Sequence, residues 1–240
     1  MGGDGRRVEI YVDVFGSGLP ILWLPGGPGL DNYLHPVARA FPDFRNVLPG
    51  PRGTGRSQGE PHGLTVAVQD LEDLRRALGL DRWLLLGHSW GADLALAYGL
   101  AHGGSVASII SFAGTGIQND REWHAAYEAR LSEEPHGDYQ HTPGVQQQLL
   151  EDWRRFIKTP DLLARIARLE APITFLHPTH DIRAGWPARQ LANLAPRGDY
   201  VELVGAPHEA WLTHDDALVD VLRDILDATS NENSIVSGLP

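Results

Sequence analysis

Trp83-Leu84-Leu85-Leu86 runs without a break into Gly87-His88-Ser89-Trp90-Gly91, and no other feature restricts the fold of this chain as much. Four apolar residues in a row read as a strand buried on both faces of a parallel sheet. Residues Trp90 to Leu100 read as a helix. A Gly-x-Ser-x-Gly pattern between strand and helix requires a sharp, strained turn with the serine hydroxyl exposed at its tip. The glycines answer a steric demand, because side chains at positions 87 and 91 would collide with the neighbouring strand and helix. Five residues alone are a common match; the strand before and the helix after supply the context that the motif needs. Unpaired N–H groups and the positive end of the helix dipole favour negative charge forming beside Ser89.

Strand-like and helix-like segments alternate around this turn. Val8–Val14, Pro20–Leu24, Arg45–Leu48, Val106–Phe112, Ile173–His177 and Tyr200–Val204 read as further strands. Thr65–Leu78 carries Val66, Val68, Leu71, Leu74 and Leu78 at helical spacing, with Gly79 as its C-cap. Pro187–Ala195 and Asp215–Asp227 read as later helices. This order predicts an α/β fold, a mostly parallel sheet covered by helices on both faces. Residues 114–170 interrupt the alternation. They are polar and helical, they lack a strand, and they hold Trp123, Tyr127, Tyr139, Trp153 and Phe156. The expected organisation is a core of residues 1–113 and 171–230, a helical lid at 114–170, and a flexible tail at 231–240.

A serine nucleophile needs oxyanion donors, a base and an acid that orients the base. Pro25-Gly26-Gly27-Pro28-Gly29 follows a predicted strand. Proline has no N–H to give, so the expected donors are the backbone N–H groups of Gly27 and Trp90. The acid and base should follow late strands, in the chain order Ser, Asp, His. Asp181 comes just after Ile173–His177, and His208 just after Tyr200–Val204. His177 and His180 precede the acid position, and His214 comes too late. His88 lies inside the turn, where its side chain should pack beside the sheet. Candidate substrate contacts are Gly26, Trp123, Tyr127 and Trp153, which together imply a partly apolar pocket.

Composition excludes several alternatives. The formal net charge is −11, with no basic stripe to neutralise phosphates, so nucleic acid is not an expected partner. The chain has no cysteine, which removes disulfides, thiolate metal sites and a cysteine nucleophile. His177-x-x-His180-Asp181 has no further ligand cluster to make it a metal site, and no cofactor is expected. Met1–Arg7 lacks the apolar segment of a signal peptide. No apolar run reaches the ~18 residues that a membrane span needs. The expected location is the cytoplasm, and the expected partner is a small molecule or short peptide.

Four segments together resemble the α/β-hydrolase superfamily, and more narrowly its proline iminopeptidase branch. Pro25-Gly26-Gly27-Pro28-Gly29 is similar to the branch's His-Gly-Gly-Pro-Gly. Gly50-Pro51-Arg52-Gly53-Thr54-Gly55-Arg56-Ser57 is similar to its Asp-x-Arg-Gly-x-Gly-x-Ser. Trp90 follows the nucleophile as it commonly does there, and Asp181 and His208 match the acid and base positions. The resemblance implies an α/β-hydrolase fold and a Ser-His-Asp hydrolase acting on small esters, amides or N-terminal peptide bonds. Pro25 stands where the branch has His, and Gly50 where it has Asp. Those peptidases hold the substrate's free amine with acidic residues of a larger cap. Glu133-Glu134 and Glu151-Asp152 are the candidates here for that task. The alternatives are a ligand-binding protein on the same fold, or a thioesterase or lyase using the same triad.

Overall fold

In the computed structural model, which describes residues 8–117, 121–133 and 137–237, one sheet is built from β1 (Val12–Phe15), β2 (Pro20–Leu24), β3 (Arg45–Pro49), β4 (Trp83–His88), β5 (Val106–Phe112), β6 (Ile173–Pro178) and β7 (Gly198–Leu203). The spatial order is β1-β3-β2-β4-β5-β6-β7. β1 lies antiparallel to β3, and every other neighbouring pair is parallel. Parallel strands need helical crossovers, and these cover both faces. α1 (His35–Ala38) and α8 (Asp215–Ser237) pack on one face. α2 (Leu64–Ala77), α3 (Trp90–Ala101) and α7 (Trp186–Leu194) pack on the other.

The period of two along each strand divides the core between those faces. Leu22, Leu24, Trp83 and Leu85 pack with α2 and α3. Ile21, Trp23, Leu84 and Leu86 pack with α1 and α8. An unbroken apolar strand therefore serves two cores at once. α2 buries Leu64, Val68 and Leu71 and ends at Gly79, whose φ of +66° is the left-handed conformation of a helix cap. Its one buried charge, Glu72, bonds Arg75, Arg76 and the Tyr98 hydroxyl of α3. The Arg75 hydrogen bonds, opposed by burial, hold the Glu72 carboxyl down at about 2.

Two boundaries differ from expectation. The first strand begins at Val12, because residues before it bond a loop: Tyr11 N–H donates to Ser57 Oγ at 2.9 Å, and Glu9 bridges Gln58. The last helix continues to Ser237, past Asp227 and into the segment expected to be a flexible tail. Between β5 and β6 lie α4 (Arg121–Arg130), α5 (Pro143–Phe156) and α6 (Leu162–Ile166), the segment expected to form a lid. Among the described residues, no helix is long and apolar enough to cross a membrane.

The chain leaves β2 toward β3 on one side and returns to β4 on the other. Such a reversal of strand order opens a crevice at the carboxyl ends of the two strands, where open α/β sheets bind ligands. The registered pair Leu24↔Gly87 brings the glycine-rich loop after β2 beside Ser89.

Candidate active site

Ser89 follows the last residue of β4 and sits at the N-terminus of α3, with φ 54° and ψ −124°. A non-glycine residue rarely adopts that conformation, and the surrounding packing must enforce it. The two motif glycines show how. A Cβ on Gly87 would lie 2.1 Å from the Gly91 carbonyl oxygen, and a Cβ on Gly91 would lie 2.2 Å from that of Leu24. The helix start, the turn and β2 are therefore in backbone contact. Ser89 N–H donates to the Phe112 carbonyl at 2.9 Å, which ties the turn to β5.

The loop after β2 closes on the same spot. A Cβ on Gly26 would stand 2.7 Å from Ser89 Cβ, so only glycine lets the loop approach. Gly26 N–H is engaged by Tyr33 Oη at 2.7 Å. Gly27, at φ +101°, has a half-buried backbone, and its carbonyl accepts a hydrogen bond from Gln146 Nε2 at 2.9 Å. Trp90 is the first residue of α3, where a helix leaves its N–H groups without partners.

β6 and β7 are adjacent, with Pro178 opposite Leu203, so the loops that follow them lie side by side. His180 N–H donates to the Ala206 carbonyl, and Gly205 N–H to Thr179 Oγ1. This brings Asp181 and His208 together, both nearly fully buried. His208 Nδ1 and Asp181 Oδ2 are 2.6 Å apart. The other carboxylate oxygen accepts Arg183 N–H at 2.9 Å and Arg183 Nη1 at 3.1 Å. Burial opposes ionisation of Asp181, but the electrostatic attraction and hydrogen bond of His208, with Arg183, outweigh it and hold the carboxyl well below the usual range. Asp181 is thus a fixed anion on the Nδ1 side of the imidazole, leaving Nε2 as the ring's other nitrogen.

The competing histidines stand apart from this pair. His180 is exposed, His177 stacks on Tyr200, and His214 bonds Thr213. His88 is buried as expected, yet it bonds Tyr33 and the His208 carbonyl. Trp123 stacks on Tyr127 at 5.7 Å, and Arg183 lies over the Tyr127 ring, which brings that aromatic pair to the acid loop. Trp153 stacks on Phe156 and lies in the core cluster with residues of α2. A cavity of about 50 Å³ lies against Pro25 and Trp90, walled by Leu24, Leu71, Leu94 and Leu149 among others.

Sequence reasoning missed Tyr33, Gln146 and Arg183, and weighed Glu209 only as a weaker alternative to Asp181 because it follows the last strand. Buried Glu209 accepts Gly137 N–H and the Tyr139 hydroxyl, pinning the segment before α5 beside the base. The candidate amine-binding acids are occupied elsewhere: Glu133 pairs with Arg130, Glu151 accepts from Gln147, and Asp152 accepts Leu64 N–H at the start of α2. Glu134 lies outside the described residues. Position 50 also has an explanation. A Cβ on Gly50 would stand 3.0 Å from Asp31 Oδ1, so the Asp31 carboxylate occupies the place of a side chain there.

The sheet order and the Ser89 turn define an α/β-hydrolase-type protein. The family model described as alpha/beta hydrolase fold matches residues 20–171, and the chain belongs to that family. Among its relatives, a proline iminopeptidase of Neisseria meningitidis serogroup A is 38% identical over 111 residues, 42% of this chain and 35% of that protein. The chain therefore spans about a third of the length of the curated relatives it matches. Among solved structures, E-2-(acetamidomethylene)succinate hydrolase has a TM-score of 0.75 at 17% identity, covering 92% of this chain and 96% of its own. Proline iminopeptidase of Mycobacterium smegmatis has a TM-score of 0.72 at 18% identity, covering 95% of this chain and 97% of its own. At these identities the structural likeness concerns the fold.

Proposed function

We propose that the chain is a serine hydrolase in which Ser89, His208 and Asp181 act as nucleophile, base and orienting acid. One observation carries the proposal: the buried His208–Asp181 pair at 2.6 Å, on loops held beside a serine in a strained strand-to-helix turn. His208 Nε2 takes the Ser89 proton as Oγ attacks a carbonyl carbon. The oxyanion is held by the N–H groups of Gly27 and Trp90. His208 then protonates the leaving group, and water releases the acyl group by the reverse sequence. Asp181 fixes the tautomer with hydrogen on Nδ1 and stabilises the imidazolium.

The proposed substrate is a small ester, amide or N-terminal peptide, and the proposed location is the cytoplasm. The apolar cavity beside Pro25 and Trp90 suits a small apolar group. Gly26 and the Trp123–Tyr127 pair are proposed to contact the substrate, with Trp153 supporting α5 from the core. The similarity to proline iminopeptidases makes an N-terminal proline the first amine substrate to try. Residues 114–170 are proposed to act as the lid.

A panel of proline arylamide, other aminoacyl arylamides, p-nitrophenyl esters of rising chain length and lactones tests this reading. Wild type should turn over at least one class, and Ser89→Ala should lose about 10⁴-fold or more of kcat. Proline arylamide cleavage well above the other arylamides supports the aminopeptidase assignment; ester cleavage alone removes it. Full activity in Ser89→Ala on every accepted substrate contradicts the mechanism.

A further inference from the structure

We infer that Tyr33 and His88 form a hydrogen-bonded strut that positions the oxyanion loop and the catalytic base as one unit; this rests on the triad reading proposed above. Two separate loops must be aligned with Ser89: the glycine loop after β2 and the His208 loop after β7. They are far apart in sequence and share no strand pairing. A chain of three hydrogen bonds links them. Gly26 N–H donates to Tyr33 Oη at 2.7 Å. Tyr33 Oη and His88 Nδ1 are 2.6 Å apart. His88 Nε2 and the His208 carbonyl oxygen are 3.1 Å apart.

The chemistry fixes the direction of every bond. A carbonyl oxygen only accepts, so His88 Nε2 carries the hydrogen. His88 is buried beside His208, and burial pushes its pKa well below the ordinary histidine value. The ring is therefore neutral and Nδ1 has a free lone pair. The Tyr33 oxygen already accepts from Gly26, so its single hydrogen goes to His88 Nδ1. Burial also raises the Tyr33 pKa, which keeps that hydrogen in place. Each donor and acceptor of the strut is used once in a consistent sense.

Packing holds the strut still. The Tyr33 ring stacks with Tyr139 at 4.3 Å and with Trp211 at 5.5 Å. The His88 ring lies between Phe112, Trp211 and His208, with the His208 ring centroid 4.5 Å away. His88 also precedes Ser89 in the chain. The strut thus meets the site at three places: one residue before the proposed Gly27 donor, beside the nucleophile, and at the backbone of the base. Catalysis by pre-aligned groups tolerates little displacement, and about 1 Å can cost a hundredfold. Tyr33 and His88 touch no reacting atom in this scheme, and both are positioning residues.

The test compares Tyr33→Phe, His88→Asn and their combination with Tyr98→Phe on p-nitrophenyl acetate. Tyr98 is fully buried and its hydroxyl bonds Glu72 at 2.8 Å, so this control removes a buried hydroxyl between α2 and the C-terminal end of α3, away from Ser89. Tyr33→Phe should lower kcat and kcat/KM together by about tenfold to a hundredfold, with KM nearly constant. Tyr98→Phe should lower the melting temperature by a similar amount and leave kcat within twofold. The Tyr33→Phe/His88→Asn double variant should lose much less than the product of the two single losses, because either change alone breaks the strut. Wild-type kcat in Tyr33→Phe, or losses that multiply in the double variant, overturns the strut while leaving the triad standing. A wild-type protein no more active than Ser89→Ala overturns both.

Discussion

Gln146 of α5 reaches across to the glycine loop and donates from Nε2 to the Gly27 carbonyl at 2.9 Å. The same helix start and the loop before it grip this segment elsewhere: Thr142 N–H donates to the Gly29 carbonyl, and Leu30 bridges His141. A helix between β5 and β6 therefore holds the Gly27–Pro28 peptide, the unit that follows the one carrying the proposed donor N–H of Gly27. Gln146→Leu keeps the size of the side chain and removes the donor. It should lower kcat on p-nitrophenyl acetate by about tenfold with a small change in KM, as expected when the loop that carries the proposed Gly27 donor shifts. Steady-state kinetics on the purified variant provide the check.

Asp181→Asn should be far more damaging than its size suggests. Asp181 Oδ1 accepts two bonds from Arg183, so an asparagine at this position keeps its carbonyl there. Its amide then faces His208 Nδ1 as a donor and imposes the wrong imidazole tautomer. The expected loss is about 10³–10⁴-fold in kcat near neutral pH, with the folded structure retained. Circular dichroism and kinetics measured on the same sample separate the two effects.

Gly91→Ala should damage the fold before it affects chemistry. The added Cβ would meet the Leu24 and Pro25 carbonyl oxygens at 2.2 and 2.6 Å, and backbone atoms at a sheet centre cannot move aside. Overpacking of this kind costs about 3 kcal/mol or more when the neighbours are rigid. The urea midpoint should fall accordingly, and soluble expression with it.

Asp93 gives the stability a slope with pH. It is buried in α3 one turn beyond Ser89, and burial pushes its pKa up to about 8 against hydrogen bonds from the Thr115 hydroxyl and the Thr115 and Gly116 backbone. The unfolded carboxyl titrates near pH 4. Between those values the folded state holds a proton that the unfolded state has released, so stability falls as pH rises from about 4 to about 8. Asp93→Asn should remove that slope and be more stable than wild type at pH 9 relative to pH 5. Urea unfolding at both pH values measures the difference.

Much of this site was legible in the chain. Ser89 and its flanking glycines announce themselves, because the turn needs those residues next to one another. Asp181 and His208 follow from strand order, since a parallel sheet delivers the ends of late strands to one edge. Gly27 follows from the glycine-rich loop after a predicted strand, where the flanking prolines have no N–H to give. What stayed hidden depends on contacts between distant segments. Tyr33 and His88 have no local pattern, although their side chains join the β2 and β7 loops. Asp152 reads as one of a candidate amine-binding acidic pair, but from α5 its carboxylate accepts the Leu64 N–H at the N-terminus of α2. Alternation reads as a strand from Val8, but at residues 8–11 it reports loop partners, Ser57 and Gln58, and the strand itself starts at Val12.

The most direct measurement is mass spectrometry of the native protein after reaction with a fluorophosphonate probe. One adduct is expected, on the peptide carrying Ser89, absent in Ser89→Ala, absent after heat denaturation, and formed at least a hundredfold more slowly in His208→Ala. An unlabelled native protein, or an adduct on any other residue, would contradict the assignment of Ser89 as the activated nucleophile.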